Sequence, residues 1–246
     1  MVMNTLIFPE WPQPKNISTC STTRLGGVSQ PPFDSLNLGD HVEDLPEAVS
    51  ENRRRLEVLA QLPQQPVWLE QVHGTHVLHL NGEYIENRQA DAVYTDKVGQ
   101  VCAIMTADCL PVLFCSRDGK EVAAAHAGWR GLCDGVLENT VAQFKSPPHE
   151  IMVWLGPAIG PEKFEVGAEV KLAFINQSAE LVEAFVPHQD KYLANLYLLA
   201  RKKLEAVGIS SIYGGTFCTA SEENRFFSYR REGKTGRMAS LIWINT

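Results

Sequence analysis

The feature that most constrains the fold is a run of short apolar segments between residues 91 and 126, separated by polar turns. Each has the length of a strand rather than a helix, and they are Asp91–Thr95, Val101–Thr106, Leu110–Ser116 and Glu121–His126. A turn signal, Arg117-Asp118-Gly119, separates the last two segments. The centre of the chain is therefore predicted to form neighbouring strands of a buried sheet.

Further strands and helices surround this centre in an irregular order. Strands are predicted at Ile17–Arg24, Pro66–Glu70, His76–Leu80, Ile151–Leu155 and Arg237–Ile244. Helices are predicted from an N-cap at Asp44, from Gly128 to about Phe144, and near Val166–Ile175, Ser178–Phe185 and Ala194–Val207. The irregular order favours an α+β fold over a regular βαβ repeat. We expect a single domain over residues 1–246, with a long functional loop at Leu25–Asp44.

Charge and composition restrict the partners of the protein. With 29 acidic and 22 basic side chains, the chain is a poor electrostatic match for nucleic acid. It has no apolar stretch that would span a membrane and no signal-peptide pattern at its start, which predicts a cytoplasmic protein without a membrane partner. The six cysteines show no disulfide spacing, so most are expected to be buried thiols. No oligomeric state is predicted.

Three segments place metal-binding or nucleophilic side chains at the ends of predicted strands. These side chains are His73, Cys109 and His126, each within two residues of a glycine or a proline. Two histidines and a cysteine fit a zinc site with one open coordination position. They also fit a metal-free Cys–His nucleophilic pair, or simply buried structural residues. The spacing of the three residues does not select among these interpretations.

Five sequence blocks, in this order, closely resemble the YfiH family, which is also called the laccase-domain or polyphenol-oxidase-like family and includes the peptidoglycan editing factor. The likeness extends from Phe8 to the final predicted strand. The blocks are Gln71-Val72-His73-Gly74, Ala107-Asp108-Cys109-Leu110-Pro111-Val112, Ala125-His126-Ala127-Gly128-Trp129-Arg130-Gly131, Gly156-Pro157-Ala158-Ile159-Gly160 and Phe227-Ser228-Tyr229-Arg230-Arg231.

This resemblance implies a fold, a site and an activity. The fold would be layered mixed sheets with flanking helices, similar to the catalytic domain of cytotoxic necrotizing factor. The site would be zinc held by His73, Cys109 and His126, which would also be the catalytic residues. The activity would be phosphorolysis of adenosine, inosine and methylthioadenosine, with adenosine deamination besides. The small-molecule partners would then be a purine nucleoside and phosphate.

The sequence also offers candidate substrate-binding residues. Arg24 and Arg130 could hold phosphate, since a guanidinium pairs with phosphate through two hydrogen bonds. Asp108 could orient a ligand or act as a base, and Asn37 could bind purine or ribose. For each of these side chains a surface ion pair or a turn is the structural alternative.

Three alternative functions remain open at this stage. One is a cysteine hydrolase or amidase that edits peptidoglycan precursors, with Cys109 as the nucleophile. The second is a nucleoside-binding module whose zinc is closed by Cys218 or His79. The third is a copper-dependent phenol oxidase. Seven scattered histidines are too few for a multicopper cluster, although Cu²⁺ could occupy a His₂Cys site in place of zinc.

Overall fold

The computed structural model describes residues 5–245. Its strands are β1 Leu6–Ile7, β2 Ile17–Thr22, β3 Val77–His79, β4 Ala92–Thr95, β5 Val101–Thr106, β6 Leu110–Ser116, β7 Val122–Ala127, β8 Ile151–Leu155, β9 Glu165–Val166, β10 Phe185–His188, β11 Lys191–Ala194, β12 Ser211–Gly214 and β13 Met238–Ile244. Its α-helices are α1 Pro46–Ala60, α2 Trp129–Asp134, α3 Val136–Val141, α4 Ala168–Ile175, α5 Leu196–Ala206 and α6 Tyr229–Glu232.

Two large sheets pack face to face and form the centre of the molecule. One has four antiparallel strands in the order β1-β2-β13-β5, and the other has six strands in the order β12-β8-β6-β7-β4-β3. Side chains such as Ile104 of β5, Leu113 of β6 and Ile242 of β13 fill the space between them. Strands covered on both faces are apolar throughout, which is why the central segments show little alternation of polar and apolar residues.

Helices and loops cover the two outer faces. Helices α2 to α5 pack on the six-stranded sheet, through residues such as Leu137 and Leu199 against Phe114. Helix α1 and the preceding loop cover the four-stranded sheet, through Leu56 and Leu38. A small sheet, β10-β11-β9, adjoins the helical side. These layers confirm the predicted α+β fold, while the likeness to cytotoxic necrotizing factor stays a prediction.

Several predicted elements differ from the structure. The segment Pro66–Glu70 forms only one bridge, between Glu70 and Gln89, and is not a strand. The helix predicted from Gly128 to Phe144 is two short helices, because Gly135 adopts a φ of 104° between them. The segment Ala179–Ala184 is a 3₁₀ helix.

Asp44 is not the N-cap of α1, which is Leu45. Its carboxylate instead accepts hydrogen bonds from Ser29 and Asn37 across the long loop, so it orders that loop. Within residues 5–245, no helix is both long and apolar enough to cross a membrane.

Candidate functional site

Cys109 and His126 meet because their strands are neighbours. Strands β6 and β7 are antiparallel, and their register pairs Leu110 with Ala127. Cys109 directly precedes Leu110, and His126 directly precedes Ala127, so both lie at the same end of the six-stranded sheet. His126 is buried, whereas Cys109 is partly exposed.

His73 reaches the same place from the segment that precedes β3. The amide side chain of Gln71 fixes that segment, because it donates to the Met105 carbonyl and accepts from the Met105 N–H, both at 2.8 Å. His73 follows in a left-handed conformation with a φ of 60°. Its Nε2 lies 3.9 Å from Cys109 Sγ, and its ring lies edge-on to the His126 ring, with the ring centres 4.8 Å apart.

The three side chains form a group that fits a metal ion. Their ligand atoms all lie within 4.8 Å of one another, and His73 is exposed. Two imidazole nitrogens and a thiolate match zinc, and three protein ligands leave a position for water or substrate. Among residues 5–245 this is the one such group, and neither Cys218 nor His79 belongs to it.

Asp91 organises both histidines, and the sequence analysis missed it. Its carboxylate is fully buried and accepts the N–H of Val72, His73 and Gly74 at 2.6–3.1 Å. The same carboxylate accepts from His126 Nδ1 at 2.8 Å. This bond fixes the tautomer of His126 and leaves Nε2 free to bind a metal. The Asp91 carboxylate thus orients the His126 ring directly, and it orients His73 through the backbone N–H of that residue.

The electrostatics of the group favour a charged thiolate. Burial alone would raise the pKa of Cys109, but the adjacent His126 and His73 imidazoles outweigh it and lower the pKa. Burial has the opposite effect on His126 and would lower its pKa, but the Cys109 thiolate and the Asp91 carboxylate outweigh burial and raise the pKa of His126. A thiolate is the form that a metal ion binds, so the local charges prepare Cys109 for coordination.

Gly128 gives the ligands the space they occupy. A Cβ at this position would lie 2.8 Å from Cδ2 of His73 and 3.2 Å from Sγ of Cys109. The backbone of Gly128, with a φ of −63°, is allowed for any residue. Glycine is therefore required by the close approach of the His73 and Cys109 side chains and not by the backbone conformation.

The substitution Gly128→Ala is therefore expected to displace two ligands while preserving the fold. We predict about 10- to 100-fold weaker zinc binding, measured by competition with a chelator of known affinity. Thermal unfolding of the metal-free protein serves as the control and should change little. Zinc affinity equal to that of the parent protein would contradict this account.

The group opens into a cavity of about 450 Å³, within the range of small-molecule sites. Its wall combines apolar side chains with cationic and polar ones. The lining residues are His41, Gln71, His73, Met105, Thr106, Ala107, Asp108, Cys109, His126, Ile159, Phe164, Tyr229, Arg230 and Arg237.

Asp108 is the one predicted substrate-binding residue that lines this cavity. It adopts a φ of 86°, directly before Cys109. Its carboxylate accepts from the hydroxyls of Thr219 and Ser228 and from the Arg230 N–H, at 2.6–2.9 Å. These bonds join three segments of the cavity wall, so in this structure Asp108 fastens the wall together.

The other three predicted substrate residues lie outside the cavity lining. Arg24 is ion-paired with Glu232 at 2.7 Å and stacks over Phe227. Asn37 is fully buried, and its amide bonds to Gly39, Asp44 and the Arg237 N–H. Arg130 is exposed and stacks over Trp129. Binding of substrate by these three residues is not supported by their positions.

The cavity also contains residues that the sequence analysis did not select. Gln71, Tyr229 and Arg230 belong to the quoted sequence blocks, so membership of those blocks was an available signal. His41 and Arg237 carried no such signal, because each reaches the cavity from a distant part of the chain.

Comparison with known proteins identifies the family of this chain. The family described as multi-copper polyphenol oxidoreductase laccase matches residues 18–245. Purine nucleoside phosphorylase YfiH of Escherichia coli (strain K12) is 60% identical over 242 residues, covering 98% of this chain and 100% of the relative. A purine nucleoside phosphorylase of Haemophilus influenzae is 53% identical over 245 residues, covering 97% and 98%.

Two solved structures have the same fold as this chain over nearly its whole length. Neisseria meningitidis protein NMB0706 superposes with a TM-score of 0.93 at 50% identity, covering 99% of this chain and 100% of that chain. Bacillus licheniformis hypothetical protein YfiH superposes with a TM-score of 0.92 at 30% identity, covering 99% and 98%. The resemblance seen in the sequence blocks is confirmed: the chain belongs to the laccase-like polyphenol oxidoreductase family that contains the YfiH purine nucleoside phosphorylases.

Proposed function

We propose that this protein is a zinc-dependent purine nucleoside phosphorylase. It would convert adenosine, inosine or methylthioadenosine and phosphate into the free base and the corresponding ribose 1-phosphate, with a secondary adenosine deaminase activity. The observation that carries the proposal is the His73–Cys109–His126 group at a cavity of about 450 Å³. The names of the relatives, purine nucleoside phosphorylases over nearly the whole chain, support the same reaction.

The reaction defines what the site must do. A phosphate oxygen bonds to C1′ of the ribose while the C1′–N9 bond breaks, and its electron pair leaves with the purine, which takes up a proton. Catalysis therefore requires phosphate held at C1′ and a stabilised leaving base. When bound, zinc would supply Lewis-acid polarisation of a substrate oxygen or, for deamination, an activated water.

Side chains of the cavity suit a purine nucleoside. Phe164 and the exposed Tyr229 provide aromatic surface, and Met105 and Ile159 provide apolar surface for a planar base. Gln71 and Asp108 are committed to protein groups and hold the wall in place. Positive charge for phosphate comes from arginine side chains on the same wall.

The copper and cysteine alternatives make different demands on the site. A multicopper oxidase needs a blue-copper site and a separate cluster rich in histidine, whereas residues 5–245 offer one three-residue group. A cysteine hydrolase is favoured by one observation, the lowered pKa of Cys109 beside two imidazoles. The metal measurement below separates these functions. A cytoplasmic location stays a prediction.

We expect the purified protein to contain about one zinc per chain and to lose phosphorolysis when a chelator removes it. Elemental analysis gives the metal, and chromatographic detection of hypoxanthine and ribose 1-phosphate from inosine and phosphate gives the activity. Activity should return with added Zn²⁺. A metal-free protein that is fully active, or stoichiometric copper with oxygen-dependent oxidation of phenols, would overturn the proposal.

A further inference from the structure

We propose that Arg237 is the phosphate-binding residue of the cavity, an inference that rests on the proposed phosphorolysis. It assigns the anion subsite to the residue that precedes β13, far in sequence from the three blocks that contain the metal ligands. Three observations support it, namely the position of the side chain, the absence of a carboxylate partner and the way in which neighbouring residues hold it.

The position of Arg237 is next to the metal ligands. Its side chain is partly buried and lines the same cavity as Cys109 and His126. It is close enough to the Cys109 and Asp108 side chains to interact with their charges. An anion that binds there would share the cavity with the metal group and with the aromatic side chains Phe164 and Tyr229.

The guanidinium of Arg237 has unused donors. One terminal nitrogen, Nη1, donates to the carbonyls of Thr235 at 2.9 Å and Gly236 at 3.1 Å. Among residues 5–245, Nε and Nη2 have no acceptor, and no carboxylate oxygen lies within 4.0 Å of the guanidinium. Nε and Nη2 form the edge of a guanidinium that pairs with two oxygens of a phosphate.

Arg230, the other arginine of the cavity, likewise has no carboxylate partner among residues 5–245, but its two terminal nitrogens donate to the carbonyls of Lys163 and Glu165. Two arginines outside the cavity lining differ from Arg237 more strongly. Arg24 and Arg231 both pair with the Glu232 carboxylate, and Arg24 also lies 3.5 Å from Asp34, so each already has a carboxylate partner within the protein. The Asp108 carboxylate in the cavity is already occupied by Thr219, Ser228 and the Arg230 N–H. Arg237 is partly buried without a carboxylate in ion-pair contact among residues 5–245, and an anionic substrate would offset the cost of burying its charge.

Asn37 holds Arg237 in place. Its Oδ1 accepts the Arg237 N–H at 2.9 Å, and the next residue, Leu38, donates its N–H to the Arg237 carbonyl at 3.0 Å. Asn37 is itself fixed by Asp44 at 2.9 Å. The long loop at residues 25–44 therefore positions the residue that binds phosphate, through both a side chain and the backbone.

The test compares Arg237→Met with Arg130→Met, an exposed arginine outside the cavity lining. Steady-state phosphorolysis of inosine is measured while phosphate is varied at saturating nucleoside. We expect the phosphate KM of Arg237→Met to rise about 10- to 100-fold, because the variant lacks a charged hydrogen-bonding partner for phosphate. The inosine KM should change less than twofold, and Arg130→Met should behave as the parent protein. Arg237→Lys should recover part of the phosphate affinity, because the lysine ammonium supplies the charge but not the two parallel N–H donors of a guanidinium.

Binding of inorganic phosphate alone gives a second readout that does not need turnover. Line broadening of the phosphate ³¹P resonance is followed in the parent protein and in Arg237→Met, with zinc content measured in both. The inference fails if Arg237→Met retains the parent phosphate KM or the parent line broadening, or if Arg130→Met shows the loss instead. A parent protein that binds phosphate through Arg237 but releases no base from any purine nucleoside would overturn the proposed function separately.

Discussion

Cys109→Ala is expected to lose the bound zinc and to reduce phosphorolysis by at least about 100-fold. The substitution removes one ligand of three, and Lewis-acid stabilisation is worth several kcal/mol of the barrier, with each 1.4 kcal/mol equal to a factor of ten. Because Cys109 is partly exposed at the end of a sheet, removal of one sulfur should leave the fold intact. Elemental analysis, base release and thermal unfolding are measured on the same preparation.

Cys218→Ala is the matched control for this experiment. Cys218 is also partly exposed, but its Sγ accepts the Gly160 N–H at 3.2 Å and does not belong to the metal group. We expect parent zinc content and parent activity in this variant. Full activity of Cys109→Ala would contradict the metal site. Retained zinc with lost activity would instead indicate that Cys109 acts as a nucleophile.

The central strands were predictable because their burial leaves a direct trace in the sequence. Segments such as Leu110–Ser116 and Val101–Thr106 are apolar along their whole length, as expected for strands covered on both faces. Pro66–Glu70 shows a similar composition but lacks a partner strand, and pairing between distant segments cannot be read from composition. Gly135, where α2 ends and α3 begins, can be seen in the sequence, but an interior glycine does not always end a helix.

The site was predictable only in part. His73, Cys109 and His126 were selected through the family resemblance, since their spacing of many residues matches no metal-binding motif. Asp91 was missed because it was assigned to the first position of a predicted strand, and its burial depends on the packing of residues 72–74 and His126 against it. Arg237 was missed because an unpaired guanidinium is recognised only when its neighbours are known.

Arg24 and Asn37 illustrate why residue type alone does not establish a substrate contact. Arg24 directly precedes the long loop at residues 25–44, and Asn37 lies within it. Substrate contacts are common in such loops. In the structure their hydrogen bonds are used by the protein, Arg24 with Glu232 and Asn37 with the Arg237 backbone. These contacts order the loop, and binding of substrate by either residue stays a prediction.

Asp91→Asn is expected to weaken zinc binding about 10- to 100-fold, although Asp91 is not a metal ligand. Partners of metal-binding histidines typically contribute this much to affinity, because they fix the tautomer and orientation of the ring. The asparagine amide supplies one acceptor oxygen where the carboxylate serves four donors, so the His126 Nδ1–H or the N–H groups of residues 72–74 lose a partner. Activity should fall in parallel with zinc occupancy.

A matched control is needed because Asp91→Asn also removes a buried charge, at a cost of about 3 kcal/mol in the free energy of unfolding. Glu121→Gln provides it, since Glu121 is 4% exposed and accepts from the N–H groups of Lys145 and Ser146 and from the Tyr94 hydroxyl. Both variants should unfold at a lower temperature, but only Asp91→Asn should bind zinc more weakly in a chelator competition. Equal loss of zinc affinity in the two variants would show that general destabilisation, rather than orientation of the histidines, explains the effect.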